Sequence, residues 1–486
     1  MPRIAIVGAG IAGLNAALTL QDAGLSCNIY EASDRIGGRM HSDTTTWADG
    51  MVSEWCGEFI DGDHETLHQL IKRFGLKTVN LGQGRADRIM YFFNRYYSAE
   101  ELARDFQALA PLLQQQVQEA GFSTTYDHFT QTGFRLDHLS VYEWIEQYVE
   151  GGHDAPVGHL LDAACSGFYG LNTNEQSSLN LVYMFGSRDL SGGSSTSRPM
   201  QGSSKIVDGN EQLPLAIARS LPEGCIHLRH QLVALERKSD ASLTLMFATA
   251  GGTFEVHCDR AILALPFSIL RRVDYRRAGF DPLKHVAIQE LGYGTISKLF
   301  LQFDRPYWYE DGPWPHRHLG FIITDLDIQT LWDASIGQTG ASGLLVDYTS
   351  GQRGAAYAPP TPYSTAADSV NIQRYAQNCL QQLERIFPGI SAHYTGRAAL
   401  SYAAGDPHLL GSYACWRVGQ YTHFGGYESV CQGAVHFAGE HCSVSFQGFM
   451  EGAAREGARA ALEIVQDVAR GRYGAIQMRQ NGGNRQ

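Results

Sequence analysis

A chain of 486 residues, 44% of them hydrophobic and 18% charged, is long enough for two domains and a large buried core. Its net charge of −12 argues against a nucleic-acid surface or an anionic-membrane surface, both of which need a basic stripe. No apolar run reaches transmembrane length, the first strand is expected by Arg3 with no room for a signal peptide, and nine cysteines without CxxC or metal spacing read as free thiols, so a cytoplasmic protein is expected.

In chain order, residues 3–8 read as a buried parallel strand, Ile11 to Ala23 as a helix ended by Gly24, and Cys27 to Glu31 as a second strand, together a β-α-β unit. From Ala99 to about Val182 the pattern is largely helical, with amphipathic stretches at Ala99–Ala120 and Val141–Val149. Residues 188–204 are rich in Ser and Gly and read as a loop. Strands are predicted at Ile226–Leu228, Leu232–Glu236, Leu243–Phe247, Phe254–Cys258, Arg260–Pro266, Lys298–Phe303, Gly320–Thr324 and Leu344–Tyr348. Ile372–Ile386 reads as a helix, Val435–Ala438 as a last core strand, and Gly448 to Arg470 as a long Ala-rich helix before a polar tail at 471–486.

Gly8, Gly10 and Gly13 fall between strand and helix, as in a dinucleotide site. There the first permits a tight turn, the second lets backbone approach a pyrophosphate, and the third lets the helix pack on the strand. Glu31 follows about 20 residues on, where an acid reaches a ribose hydroxyl. Nucleotide-type segments at 1–80, 205–285 and 390–470 are interrupted by 81–204 and 286–389. The expected fold is therefore α/β, a discontinuous Rossmann-like cofactor domain with a substrate domain inserted twice, whose helical part covers about 99–182.

Arg35-Ile-Gly-Gly-Arg39 and Phe437-Ala-Gly-Glu-His441, followed by Gly448-Phe-Met450, together resemble the flavin monoamine oxidase and bacterial L-amino-acid oxidase family. That resemblance implies FAD and a glutathione-reductase-like fold of the amine oxidase type. It places Gly38 and Arg39 at the phosphates and Gly439 and Glu440 near the ribityl-pyrophosphate part. Gly448, Phe449 and Met450 fall by the flavin ring, Gly57, Glu58 and Phe59 under it, and Leu232 near adenine. Ser412 stands where some members carry a flavin-linking cysteine, so FAD is expected to be non-covalent.

The same resemblance gives the reaction centre. Lys298, flanked by Ile, Leu and Phe on a predicted buried strand, matches the lysine that reaches flavin N5 through a water and stabilises charge as electrons pass to oxygen. Tyr413 and Phe449 match the two walls of an aromatic cage, with Trp416 as an alternative to Tyr413. The implied chemistry is hydride transfer from the amine-bearing carbon, O2 reoxidation giving H2O2, and hydrolysis of the imine to a carbonyl and ammonia.

An amino-acid substrate needs a carboxylate partner, and Arg95, Arg198 and Arg417 are candidates. Tyr169 and Trp332 are candidate pocket residues. Oxidation of L-amino acids stands slightly ahead of a monoamine or polyamine oxidase without carboxylate recognition. A flavin desaturase or dehydrogenase that does not use O2, and a non-catalytic escort protein of the same fold, remain open. Expected partners are a small amine or amino acid and O2, with no nucleic acid and no membrane, and a homodimer is left open. No metal is expected, and His316-Arg-His318 reads as a polar loop.

Overall fold

The computed structural model describes residues 1–81, 89–186, 202–314, 321–357 and 359–471. The expected loop up to 201, Arg198, residues 316–318 and the tail beyond 471 lie outside the described residues. Five parallel strands, in the order Val435–Phe437, Arg260–Leu263, Ile4–Val7, Asn28–Tyr30 and Ile226–His227, form a Rossmann-like sheet. Its strands come from three separated stretches of chain. All four residues of Ile4–Val7 are buried, as a parallel strand covered on both faces requires. The turn after it and the helix packed on it each need a glycine. Gly8 has φ +104°, and a Cβ on Gly13 would lie 1.9 Å from the Gly8 carbonyl oxygen.

The helix Ile11–Asp22 that follows crosses the C-terminal helix Met450–Ala469. Their contact is close: a Cβ on Gly457 would meet the Ala12 carbonyl oxygen at 2.1 Å, and Asn15 donates across to the Ala454 carbonyl at 2.7 Å. The two ends of the chain are thus packed into one layer against the parallel sheet.

A second sheet has eight strands, in the order Tyr363–Thr365, Tyr394–Tyr402, Ile296–Phe303, Gly343–Ser350, Thr330–Asp333, Phe321–Thr324, Ile89–Phe92 and Arg95–Tyr97. One face, with Leu299, Leu301 and Phe303, packs on Leu380 and Leu383 of the helix Val370–Ile386. The other face packs Phe300, Trp332 and Tyr348 against Trp47, Trp55 and Phe59. The predicted helical stretch resolves into Ala99–Ala120, Gln131–Asp137, Val141–Tyr148, Pro156–Tyr169 and Ser178–Gly186. Reciprocal capping boxes start two of them, Ser98 with Glu101 and Ser140 with Glu143.

Some elements differ from expectation. Arg260–Leu263 stops before Pro266, because Phe267–Leu270 already turns as a helix. The last helix starts at Met450 rather than Gly448, whose φ of +86° is not helical. Tyr394–Tyr402 extends the eight-stranded sheet past residue 389, and Ser204–Ile206 pairs with Thr78–Asn80 where a loop is expected at 204. The nine cysteines form no disulfide. Among the described residues no helix is long and apolar enough to cross a membrane.

Candidate active site

A cavity of about 700 Å³ opens at the carboxyl ends of the parallel strands and runs to the inner face of the eight-stranded sheet. In α/β sheets this end of the strands is where ligands bind. Gly8, Gly10, Glu31, Gly38, Arg39 and Leu232 line its first part. Ile11 and Ala12 line it too, so the first helix begins at the cavity wall. Its N-cap is Gly10, which supplies no side-chain cap, and the first-turn N–H groups stay open to an anion. Glu31 accepts from the Ala9 N–H at 2.7 Å and from the Ser33 N–H and hydroxyl at 2.9 and 2.8 Å, which fixes the turn. Gly13 does not line the cavity; it is buried in the helix–strand contact.

Arg39 and Glu440 join the two ends of the chain here. Arg39 Nη1 donates to Glu440 at 2.7 Å and to the Ser412 carbonyl at 2.9 Å. Glu440 also accepts from the Ala414 N–H at 3.1 Å and the Gly448 N–H at 2.7 Å. Burial works to raise the Glu440 carboxyl, but Arg39 and His441 together with these donors outweigh it and hold it below its ordinary value. Gly439, Gly448, Phe449 and Met450 line the same region. Gly57 lies directly against Met450, where a Cβ would come within 2.9 Å of the sulfur.

The far part is aromatic. Lys298 projects from the strand Ile296–Phe303, opposite Tyr348 on one neighbouring strand and Ser401 on the other. Its ammonium donates to Glu58 at 2.9 Å, to the Glu54 carbonyl at 2.6 Å and to the Cys56 carbonyl at 3.2 Å. Trp332 donates its indole N–H to the other Glu58 oxygen at 3.1 Å. The Tyr413 hydroxyl donates to the Phe168 carbonyl at 2.7 Å and lies 2.9 Å from the Tyr348 hydroxyl. The Tyr413 ring also faces Gly448, one residue before Phe449, whose ring is 5.7 Å from that of Phe168. Phe59, Tyr169, Trp332, Tyr413 and Phe449 all line the cavity.

Besides Gly13, three expected site residues lie elsewhere. Trp416 is buried away from the cavity, with its indole N–H on Glu428 at 2.7 Å and its ring 4.4 Å from Tyr421. Arg417 is half-exposed and faces Glu175 at 3.6 Å. Arg95 is half-exposed, pairs with Glu101 at 3.3 Å and stacks 3.7 Å over Tyr97. Conversely, the cavity wall includes residues that motif reading does not select, among them Ala264–Pro266, Met184, Ile323 and Tyr348. Ala264–Pro266 carried a signal, since they end a predicted buried parallel strand. Met184 and Ile323 carried none.

The donor set fits a dinucleotide carrying a flavin. It offers two helix N-termini without side-chain caps, at Ile11 and Met450, and one arginine fork. Ser412 Oγ and Gln447 Nε2 are buried on this cavity without a protein partner. Residues 11–465 match the family described as flavin containing amine oxidoreductase. The chain belongs to that family. Among curated relatives, an L-amino-acid oxidase of Naja atra is 23% identical, over 95% of this chain and 87% of its own. An L-amino acid dehydrogenase of Synechocystis sp. is 27% identical, over 95% and 94%. The solved structure of cyclohexylamine oxidase from Brevibacterium oxydans superposes with a TM-score of 0.81 at 20% identity, covering 96% of this chain and 99% of that one.

Beside the Lys298 nest, burial pushes the Glu54 carboxyl up to about 8, against opposing hydrogen bonds from Asn210 and Ser42. An acid raised in the folded state binds a proton there that the unfolded chain has lost. Its contribution to stability is complete below the ordinary carboxyl value and disappears as pH rises to about 8. Glu54→Gln should therefore remove a decline in stability between about pH 4.5 and 8, read from denaturant midpoints across that range. Parallel profiles for the variant and the natural protein would contradict this.

Proposed function

We propose that the chain binds FAD non-covalently and oxidises the amine-bearing carbon of small amines or L-amino acids. The observation that carries this reading is that Lys298, Tyr413 and Phe449 line the same cavity as Gly8, Glu31, Arg39 and Glu440. When bound, FAD would supply the hydride acceptor. The chain's own part is orientation and desolvation. Tyr413, fixed by the Phe168 carbonyl, and Phe449 offer aromatic faces to an amine, while Phe59 and Trp332 exclude water around it. The imine released hydrolyses to a carbonyl and ammonia, and dioxygen is the acceptor that yields H2O2. The non-covalent reading rests on Ser412, a serine where some members of the family carry a flavin-linking cysteine. The parallel-sheet unit serves as the cofactor domain, and the eight-stranded sheet with the helices between residues 99 and 186 as the substrate domain. Cytoplasmic placement belongs to the same proposal.

Within this reading the amine class stands ahead of the amino-acid class. Among the described residues lining the cavity the only arginines are Arg35 and Arg39, both on the nucleotide loop. Neither Arg95 nor Arg417 reaches it. The L-amino-acid oxidases among its relatives favour the other class.

A matched pair decides between the classes: L-phenylalanine and phenethylamine, each mixed anaerobically with holoenzyme while flavin bleaching is followed. Phenethylamine should bleach it at least as fast, with a rate that rises with pH as the ammonium loses its proton. Bleaching by the amino acid alone would restore carboxylate recognition. Acid precipitation should leave the flavin in the supernatant; flavin that stays with the pellet would overturn non-covalent binding.

A further inference from the structure

The lysine expected to assist dioxygen is fully engaged. An ammonium has three protons to donate. Those of Lys298 face three protein acceptors, the Glu54 and Cys56 carbonyls and the Glu58 carboxylate. Both members of the Lys298–Glu58 pair are nearly inaccessible, with side chains 4% and 5% exposed. Trp332 holds the second carboxylate oxygen, so Glu58 cannot swing away from the ammonium without leaving an indole N–H unsatisfied.

Reduction of dioxygen to hydrogen peroxide takes two electrons and two protons. Its first electron transfer creates an anion, which a nearby free cation stabilises. A cation with a carboxylate 2.9 Å away presents a dipole instead, and its field falls off faster with distance. Glu54 does not restore a net charge of either sign, since burial raises its carboxyl and favours the neutral form at pH 7. Lys205, the other lysine that interacts with Glu58 and Glu54, is directed elsewhere: its ammonium donates to the Ala334 carbonyl at 2.8 Å.

We propose that Glu58 is a positioning residue that acts as a brake on dioxygen, holding Lys298 so that the reduced holoenzyme reacts slowly with O2. The inference rests on the cavity being an FAD site and deepens that reading, because it concerns how fast the electrons then reach dioxygen. It assigns a role to an acid that sequence motifs place only under the flavin.

The test needs no amine. Holoenzyme is reduced with a stoichiometric amount of dithionite and mixed with oxygenated buffer, and the flavin midpoint potential is measured in parallel. In Glu58→Gln the second-order rate with O2 should rise at least about tenfold, a change of one tenfold unit in barrier. The potential should shift positive, because a negative charge has been removed. A faster reaction despite a smaller driving force is a signature that loosened packing does not give. The Glu58→Gln, Lys298→Met double variant should fall back to about the natural rate.

An unchanged or slower reaction in Glu58→Gln would overturn the proposal, as would a double variant that keeps the gain. A rate that rises with a potential that falls would overturn it too, since driving force alone then explains the rate. Should Glu58→Gln not retain FAD, Trp332→Phe frees one carboxylate oxygen and should give a smaller gain in the same direction; no gain there counts against the brake. If the natural protein takes up no flavin at all, the FAD reading fails instead, and the two failures remain distinct.

Discussion

Glu440 is 3% exposed on its side chain, yet it gathers donors from three distant parts of the chain: the guanidinium of Arg39 and the N–H groups of Ala414 and Gly448. A carboxylate in that position loses most of its hydration and is tolerated only because every donor is in place. The consequence is geometric. The loop after the second strand, the segment carrying Tyr413, and the turn leading to Phe449 and Met450 all converge on one pair of oxygens. The crossing of the first and last helices, through Gly457 and Ala12, brings those segments near enough to meet. Removing either partner of such a buried pair typically costs about 3–5 kcal/mol, because the other charge is left unpaired.

From that joint the rest of the cavity follows. Ser412 and Tyr413 pair with Gly294 through short backbone bonds of 2.9 Å. Gly294 lies two residues before the strand that carries Lys298, so the nucleotide end and the aromatic end are held in register. The eight-stranded sheet contributes rigidity: all eight residues of Ile296–Phe303 are buried, with Leu299 and Leu301 in the core on one face and Lys298 turned to the cavity. A lysine at this position cannot be placed by solvation. It is placed by Glu58, two carbonyls and the flanking rings of Phe300 and Trp332, 5.1 and 5.6 Å from its nitrogen.

Much of this was legible in the sequence where the requirement is local. Gly8 announces a turn and Gly13 a helix contact that no side chain can occupy, and Glu31 stands at a fixed interval from them. Lys298 was visible because a lysine among Ile, Leu and Phe is out of place unless it is used. What sequence reading missed depends on partners far along the chain. Trp416 lies three residues from Tyr413, but Glu428 and Asn180 draw that segment away from the cavity. Glu58 reads as one more residue under the cofactor until the strand 240 residues later supplies its cation. The strand Tyr394–Tyr402 escaped because its Gly and Ala residues have weak strand propensity, and its neighbours in the sheet impose the conformation.

The claim most exposed to test is that the Arg39–Glu440 pair holds the proposed FAD site together across the two ends of the chain. The direct measurement is the FAD dissociation constant of the natural protein, Arg39→Ala, Glu440→Gln and the double variant. Each single substitution is expected to weaken FAD by at least about thirtyfold, and the double variant to be little worse than the weaker single, because one joint is lost in all three. Independent, additive losses, or affinities unchanged by either substitution, would contradict it.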